Sequence, residues 1–172
     1  AMDVIPVMLS ESENRINIKR CTDLLESASG TKVKGWLSPR GTSSPETPRL
    51  LAEAGYQWYG DVFDDDLPYV QTFDGRKIVA IPLSTDVNDM PSMKYGTAPR
   101  MMLDSFNECV QIALEQGQGP AVIDVTTHAH IFGRPRGAYH FGKIIERAVA
   151  LEDVWIATRS EIASHVLAHT PR

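Results

Sequence analysis

Cysteine, charge of one sign and long apolar runs are all scarce in this sequence of 172 residues. Its two cysteines, Cys21 and Cys109, lie far apart and in no metal-binding spacing, which predicts a reduced, cytoplasmic protein in which both are small buried side chains. The formal net charge is -5 and no Lys/Arg-rich run occurs, so nucleic acid is not expected as a partner. No apolar stretch has the length of a membrane-spanning helix.

Familiar catalytic motifs are missing as well. The sequence contains no G-x-S-x-G elbow, no phosphate-binding loop, no G-x-G-x-x-G pattern and no H-E-x-x-H. A Ser-His-Asp triad is not excluded by spacing, but no single serine stands out. The length and the hydrophobic fraction of 42% fit one globular domain over residues 1–172.

What is present is an alternation of short apolar runs with helical patterns. Ser10 and Glu13 form a capping box that opens a helix, with an apolar stripe behind it, and Gly30 is its expected end. A hairpin is predicted across Asp74-Gly75. The order predicts an α/β fold with a mainly parallel sheet. The predicted elements are strands at 32–37, 56–63, 121–128 and 153–159, hairpin strands at 68–74 and 77–82, helices at 43–55 (capped by Ser43 or Ser44), 98–117 and 136–151, a last helix opened by Ser160, and an irregular segment at 83–97.

Polar side chains follow the ends of the predicted strands. In parallel α/β sheets and barrels, catalytic and binding groups collect beyond the carboxyl ends of the strands. Arg, Asp, Asn and His residues all fall at these positions, which predicts a functional rim. The segments concerned are 38–40, 61–66, 84–89, 128–130 and 158–159.

His128 and His130 lie two positions apart at the end of one predicted strand, so both could face the rim. One of them could act as a general acid or base. The pair could also ligate zinc, although a third ligand is needed and none is adjacent. A third interpretation is that these histidines only hydrogen-bond a neighbouring loop.

Arg40 lies between Pro39 and Gly41 after another strand. A fixed guanidinium there could orient a carboxylate or bind an anionic substrate group, and the alternative is a loop arginine in solvent. Asp65 is the middle member of an acidic triplet, 64–66, which is either a solvated turn or a partner for Arg40 or a cation.

Two further segments carry candidate substrate contacts. Asp86, Asn88 and Asp89 lie in the irregular segment, where plain Asx turns explain them equally well. Arg134, in a Gly-Arg-Pro sequence, could bind a substrate carboxylate or simply precede the next helix.

Four stretches, taken in order, resemble the polysaccharide deacetylase family in its allantoinase-like branch: GWLSPRGTSSPETPRLLAEAGYQWYGDVFDDDLPY, IPLSTDVNDM, THAHIFGRPRG and VWIATRSEIASHV. The resemblance covers residues 10–168. It implies an irregular (β/α) barrel and hydrolysis of a carbon–nitrogen bond that is not a peptide bond. The implied substrates are N-acetylated sugars in most branches and ureide rings such as allantoin in the allantoinase-like branch.

The resemblance also implies roles for individual residues. The position of Arg40 orients the catalytic base, and that of His128 is the general acid toward the leaving nitrogen. Asp86, Asn88 and Asp89 lie by the substrate pocket. These five residues, with Arg134 and Asp65 as further substrate contacts, are the predicted site.

Neither of the family's amino-terminal motifs is identified in the sequence. They are a Thr-Phe-Asp-Asp-type segment, which supplies the base and a metal ligand, and a His-x-x-x-His segment, which supplies two metal ligands. The chain therefore resembles the carboxyl-terminal half of a deacetylase and a partial barrel. We expect no cofactor in this chain, and zinc only together with the missing ligands.

The predicted elements are too few to close a barrel with helices outside. We therefore expect a partner, either an amino-terminal half or a second copy of the chain, and little activity from the lone chain on a sugar or small-molecule substrate. The alternative is a non-catalytic binding or assembly subunit that completes a partner's active site.

Overall fold

The computed structural model describes residues 4–117 and 119–170 of the chain. They divide into two compact units, a finer division than the single domain that the sequence predicts. The first unit comprises the chain up to Pro82 together with the chain from Ala157 onward, and the second unit is Leu83–Ile156. Within the described residues, no helix is both long and apolar enough to cross a membrane.

The first unit is a four-stranded sheet with helices. Its strands occur in the order β1-β2-β4-β3, in which β1, β2 and β4 are parallel and β3 runs antiparallel to β4. The elements are β1 (Gly35–Trp36), β2 (Trp58–Tyr59), β3 (Tyr69–Phe73), β4 (Arg76–Ala80), α1 (Glu11–Ser29), α2 (Thr47–Glu53), the last helix α6 (Arg159–His169), and 3-10 turns at Pro6–Met8 and Pro39–Gly41.

Local chemistry sets the ends of α1 as predicted. The Ser10 side chain accepts the Glu13 N–H while the Glu13 carboxylate accepts the Ser10 N–H, and Gly30 ends the helix in the left-handed region at φ 66°. The predicted apolar stripe is only partly correct, because Ile18 is buried whereas Ile16 and Leu24 are exposed. The buried face instead includes a polar residue, Asn14, whose amide donates to Ser44 and Thr47 at the start of α2.

The hairpin between β3 and β4 is confirmed. Asp74 and Gly75 both have positive φ, 48° and 78°, as a two-residue type I′ turn requires. The core beside the sheet collects the buried side chains of β1, β2, β4, α1 and α2, while Ala163 of α6 packs with Val79 and Ile81. α6 therefore completes the cover of the sheet in the first unit.

The second unit is built on two short parallel strands and three helices. β5 (Val87–Asn88) pairs with β6 (Val125–Thr126), and the helices are α3 (Asp89–Lys94), α4 (Arg100–Gln116) and α5 (Pro135–Val149). Val87, Phe106, Phe132 and Ile144 belong to one apolar cluster in this unit. Across both units most strand pairs are parallel, so the predicted α/β class with a mainly parallel sheet is confirmed.

Several predicted boundaries are wrong. α2 begins at Thr47, with Glu46 rather than Ser43 or Ser44 at its N-cap, because Pro48 occupies its first turn. The predicted irregular segment 83–97 contains β5 and α3. α6 is capped by Thr158, which forms a capping box with Glu161, rather than opened by Ser160.

The predicted strands are also shorter in the structure, and one is absent. Residues 153–159 form no strand among the described residues, and Val154, Trp155 and Ile156 are 41%, 59% and 60% exposed. An extended apolar segment becomes a strand only when a neighbouring strand accepts its backbone hydrogen bonds. The two cysteines are unpaired and only partly buried, not buried as predicted.

Candidate active site

His128 and Asp89 form a tight pair in the second unit. The ring Nδ1 of His128 lies 2.6 Å from Asp89 Oδ1, and the backbone N–H of His128 donates to Asp89 Oδ2 at 2.7 Å. The Asp89 side chain is 0% exposed, whereas that of His128 is 34% exposed. One buried carboxylate therefore fixes both the backbone and the ring of a histidine whose other edge reaches the surface.

The elements around the pair explain why it forms. β5 and β6 are parallel and in register at Asn88 and Thr126, so their carboxyl ends lie side by side. The Asn88 side chain accepts the N–H of Met90 and caps α3, which places Asp89 in the first turn of that helix. In the segment after β6, the carbonyl of His128 accepts the N–H groups of Ile131 and Phe132, and these hydrogen bonds close the turn.

This geometry fixes the tautomer of the His128 ring. An ionised carboxylate can only accept hydrogen bonds, so Nδ1 carries a proton and Nε2 is the ring atom left for exchange with a bound molecule. A carboxylate at this distance also stabilises the positive charge that the ring gains when Nε2 is protonated, as in the Ser-His-Asp triad. The arrangement can therefore deliver or accept a proton at a defined atom.

His130 contacts His128 edge to face, with ring centroids 5.7 Å apart. The predicted alternative in which this pair ligates zinc requires a third protein ligand. In the part of the chain that the structure describes, no group of three or more His, Cys, Asp or Glu side chains could hold a metal ion. The residues present therefore do not form the metal centre that the family resemblance implies.

Arg40 lies in the first unit, at the tip of the loop that follows β1. It is exposed and occupies the left-handed region, at φ 60° and ψ 20°. A residue with a side chain pays a conformational cost there, about 1–2 kcal/mol, so the surrounding loop must hold this conformation in place.

Asp61 holds that loop, and the sequence analysis did not select it. Its carboxylate, on a side chain that is 9% exposed, accepts the backbone N–H of Ser38 at 2.8 Å and a short hydrogen bond from the Ser43 hydroxyl. Ser38 in turn accepts the indole N–H of Trp36. The sequence does contain a signal for Asp61, because this residue closely follows β2. The acidic triplet 64–66 is more conspicuous and was selected instead.

Asp65 forms a solvated turn, which is one of the two interpretations of the acidic triplet. Its Oδ1 accepts the backbone N–H groups of Asp66 and Leu67, and the residue is exposed. The neighbouring Asp64 accepts the phenol of Tyr69. Burial, followed by the contact with Asp64, raises the pKa of Tyr69 above its usual value.

The remaining predicted contacts differ in exposure. Asp86 and Arg134 are exposed, and Arg134 is the N-cap residue of α5 without a capping hydrogen bond from its side chain. The Oδ1 of Asn88 is occupied as a helix cap. Asp89, predicted as a substrate contact, is fully buried, and its carboxylate is bonded to His128. The second unit thus brings His128 and Asp89 together, whereas Arg40 and Asp65 belong to the first unit.

One histidine pair was missed by the sequence analysis. The prediction that no histidine pair has the spacing His-x-x-x-His is wrong, because His165 and His169 have it and lie on one face of α6. Their rings stack, with centroids 4.1 Å apart.

Comparison with known proteins gives relatives of one kind. The chain is 26% identical to a Schizosaccharomyces pombe protein described as "Putative polysaccharide deacetylase", in an alignment that covers 86% of this chain and 52% of that protein. The crystal structure of a probable polysaccharide deacetylase from Pseudomonas aeruginosa PAO1 matches with a TM-score of 0.89 over 99% of this chain and 58% of that one, at 24% identity. The crystal structure of PuuE allantoinase matches with a TM-score of 0.85 over 95% and 56% of the two chains, at 26% identity. No family model matches the chain.

These similarities confirm the predicted resemblance to the polysaccharide deacetylases, including its allantoinase-like branch. They also confirm the fold prediction, an α/β fold of the polysaccharide deacetylase type whose described strands do not close into a barrel. The chain spans about half the length of the curated relative that it matches, 52%.

Proposed function

We propose that this chain is the part of a polysaccharide deacetylase-like hydrolase that supplies the general acid for cleavage of a non-peptide carbon–nitrogen bond. The proposed substrate is an N-acetylated sugar or a ureide such as allantoin. Two lines support this proposal: the chain resembles deacetylases and an allantoinase, and it carries a histidine of the kind that such hydrolysis requires.

The observation that carries the proposal is the His128–Asp89 pair. As the carbon–nitrogen bond breaks, the departing nitrogen must gain a proton, and Nε2 of His128, on a side chain that is 34% exposed, is the atom that would deliver it. Asp89 is a positioning residue that keeps Nδ1 protonated and stabilises the charged ring. General acid help of this kind contributes about 10²–10⁴ in rate.

Roles are also proposed for the other predicted residues. Arg40, held by the Asp61 network, would orient the base that activates water, and that base is not among the residues of this chain that we assign. Asp86 and Arg134 expose charged groups that could bind polar substrate atoms, and Asn88 retains its amide nitrogen for the same purpose. Asp65 is the least favoured contact, because its carboxylate already forms a turn.

We further propose that activity requires a partner polypeptide that corresponds to the amino-terminal half of the relatives, with a second copy of this chain as the rival occupant. Two observations support a partner. The relatives extend well beyond the part that this chain matches, and the apolar side chains of Val154, Trp155 and Ile156 are exposed. No reaction step is assigned to a metal, because the described residues do not form a metal centre.

The test is complementation. The chain is mixed with the unmatched half of the Pseudomonas aeruginosa relative, and acetate release from an N-acetylated oligosaccharide and consumption of allantoin are measured. We expect activity in the mixture and almost none from either part alone. In the mixture, His128→Gln should lower kcat by about 10²–10⁴. Asp89→Asn should also lower kcat and shift the pH profile, since an amide at this position no longer holds the proton on Nδ1.

The matched control is His130→Gln, which changes the neighbouring histidine and should leave kcat within about twofold of the wild-type value. Full activity of the His128→Gln mixture would refute the proposed acid. Family-like turnover by the lone chain would refute the need for a partner. A mixture that binds sugar without hydrolysing it would favour the alternative, a non-catalytic binding or assembly subunit.

A further inference from the structure

The last helix, α6, presents two imidazoles on one face. His165 and His169 are both exposed, their ring centroids are 4.1 Å apart, and their planes are inclined by 29°. Residues four positions apart project from the same side of a helix. Two histidines at this spacing on one helix face can share a transition-metal ion.

A hydrogen bond prepares one of the two rings as a ligand. Nδ1 of His169 lies 2.8 Å from the backbone carbonyl of His165. A carbonyl oxygen can only accept, so Nδ1 carries the proton and the lone pair of the neutral ring is on Nε2. Metal-binding histidines commonly have this arrangement, in which one ring nitrogen donates to a carbonyl and the other is presented to the ion.

We propose that His165 and His169 chelate one divalent transition-metal ion. Nitrogen-to-metal bonds of about 2.0–2.1 Å place the two ligand nitrogens about 3.0–3.4 Å apart. The two rings are near-parallel and their centroids are 4.1 Å apart. The rings therefore need to approach each other by only about 1 Å. Both side chains are exposed, so an ion can reach them from solvent. The site does not depend on the proposed hydrolase function.

The ligand number defines the kind of site. No third His, Cys, Asp or Glu of the described chain completes a metal-binding group, so water fills the remaining positions. Such a site exchanges its ion readily, and its affinities follow the order expected for imidazole ligands, with Cu²⁺ above Ni²⁺ and Zn²⁺.

The test is isothermal titration of the untagged chain with CuCl2, NiCl2 and ZnCl2. We expect one ion per chain, with Cu²⁺ bound most tightly. His165→Gln and His169→Gln should each weaken Cu²⁺ binding by about tenfold or more, because each removes one arm of the chelate. His130→Gln and His140→Gln, which change histidines elsewhere, should leave the affinity within about twofold.

A permuted variant separates spacing from histidine content. S164H/H165S keeps all five histidines but places the two on α6 five positions apart, on different faces, and should lose the site as the single variants do. Circular dichroism verifies that each variant is folded. The proposal is overturned if no ion binds at millimolar concentration, if the α6 variants retain wild-type affinity, or if His130→Gln abolishes binding instead.

Discussion

Two buried carboxylates organise the loops that follow the strands. Asp89 bonds to the backbone and the ring of His128, and Asp61 bonds to the backbone of Ser38 and the hydroxyl of Ser43. In both cases a carboxylate from one strand end fixes the loop after a neighbouring strand. Sequence analysis selected the more exposed residue of each loop, His128 or Arg40, and did not predict that Asp89 is buried, because burial depends on packing that no local pattern reports.

At the scale of single residues, Asp61 should matter far more to stability than Asp65. Asp61→Ala leaves the buried N–H of Ser38 and the hydroxyl of Ser43 unpaired, so we expect a loss of about 1–3 kcal/mol in the free energy of unfolding. Asp65→Ala, in an exposed turn, should cost less than about 0.5 kcal/mol. Urea unfolding followed by tryptophan fluorescence checks both, and equal losses would contradict this account of Asp61.

Helices were predicted better than strands because their signals are local. The Ser10–Glu13 capping box and Gly30 bound α1 within a few residues of sequence, and the Asp74-Gly75 dipeptide fixes the hairpin by its own conformation. The strand predicted at 153–159 failed because a strand depends on a distant partner. β5 was missed for the same reason, since only its pairing with β6 defines it.

Two glycines should respond in opposite ways to alanine. Gly142 lies inside α5, and an added Cβ there meets nothing within 4 Å, so Gly142→Ala should raise the free energy of unfolding by about 0.5–1 kcal/mol. Gly75 also has open space around it but a φ of 78°, so Gly75→Ala should lower it by about 1–2 kcal/mol. Thermal and urea unfolding give the change in the free energy of unfolding for each variant. Changes in the same direction for both variants would refute the conformational explanation.

The capping boxes should make α1 and α6 sensitive to acid. Hydrogen bonds from Ser10 lower the pKa of Glu13 below its usual value, and those from Thr158 lower the pKa of Glu161. A lowered folded-state pKa means that this stabilisation is present above the unfolded-state value and is lost as the pH falls through the folded-state value. Protection of the amides in the first turns of both helices, measured relative to the intrinsic exchange rate at each pH, should therefore fall below about pH 4.5.

Glu13→Gln is the control for this acid response. It should remove the loss of exchange protection at acid pH at the start of α1 and leave the loss at the start of α6 unchanged. Unaltered pH dependence at α1 in this variant would assign the response to another group.

On the scale of the whole molecule, apolar side chains are exposed at residues 154–156. Ile156 is 60% exposed and follows Trp155 at 59%. Ile156→Lys should reduce concentration-dependent self-association and binding of an apolar dye, because it places a charge within this surface. Ala150→Lys, at an exposed position with little apolar area, should change neither. Sedimentation velocity measures self-association, and dye fluorescence measures binding of the apolar dye. The same result for both variants would contradict a role of residues 154–156 in either.

The packing of α6 on the first unit sets an order of events during synthesis on the ribosome. Ser160 of α6 accepts the indole N–H of Trp58, a residue made 102 positions earlier, and Ala163 covers Val79 and Ile81. The sheet of the first unit therefore emerges from the ribosome long before its last cover exists. Until α6 is translated, the nascent chain leaves the apolar residues that α6 covers exposed, and it is in that interval that chaperone capture is most needed.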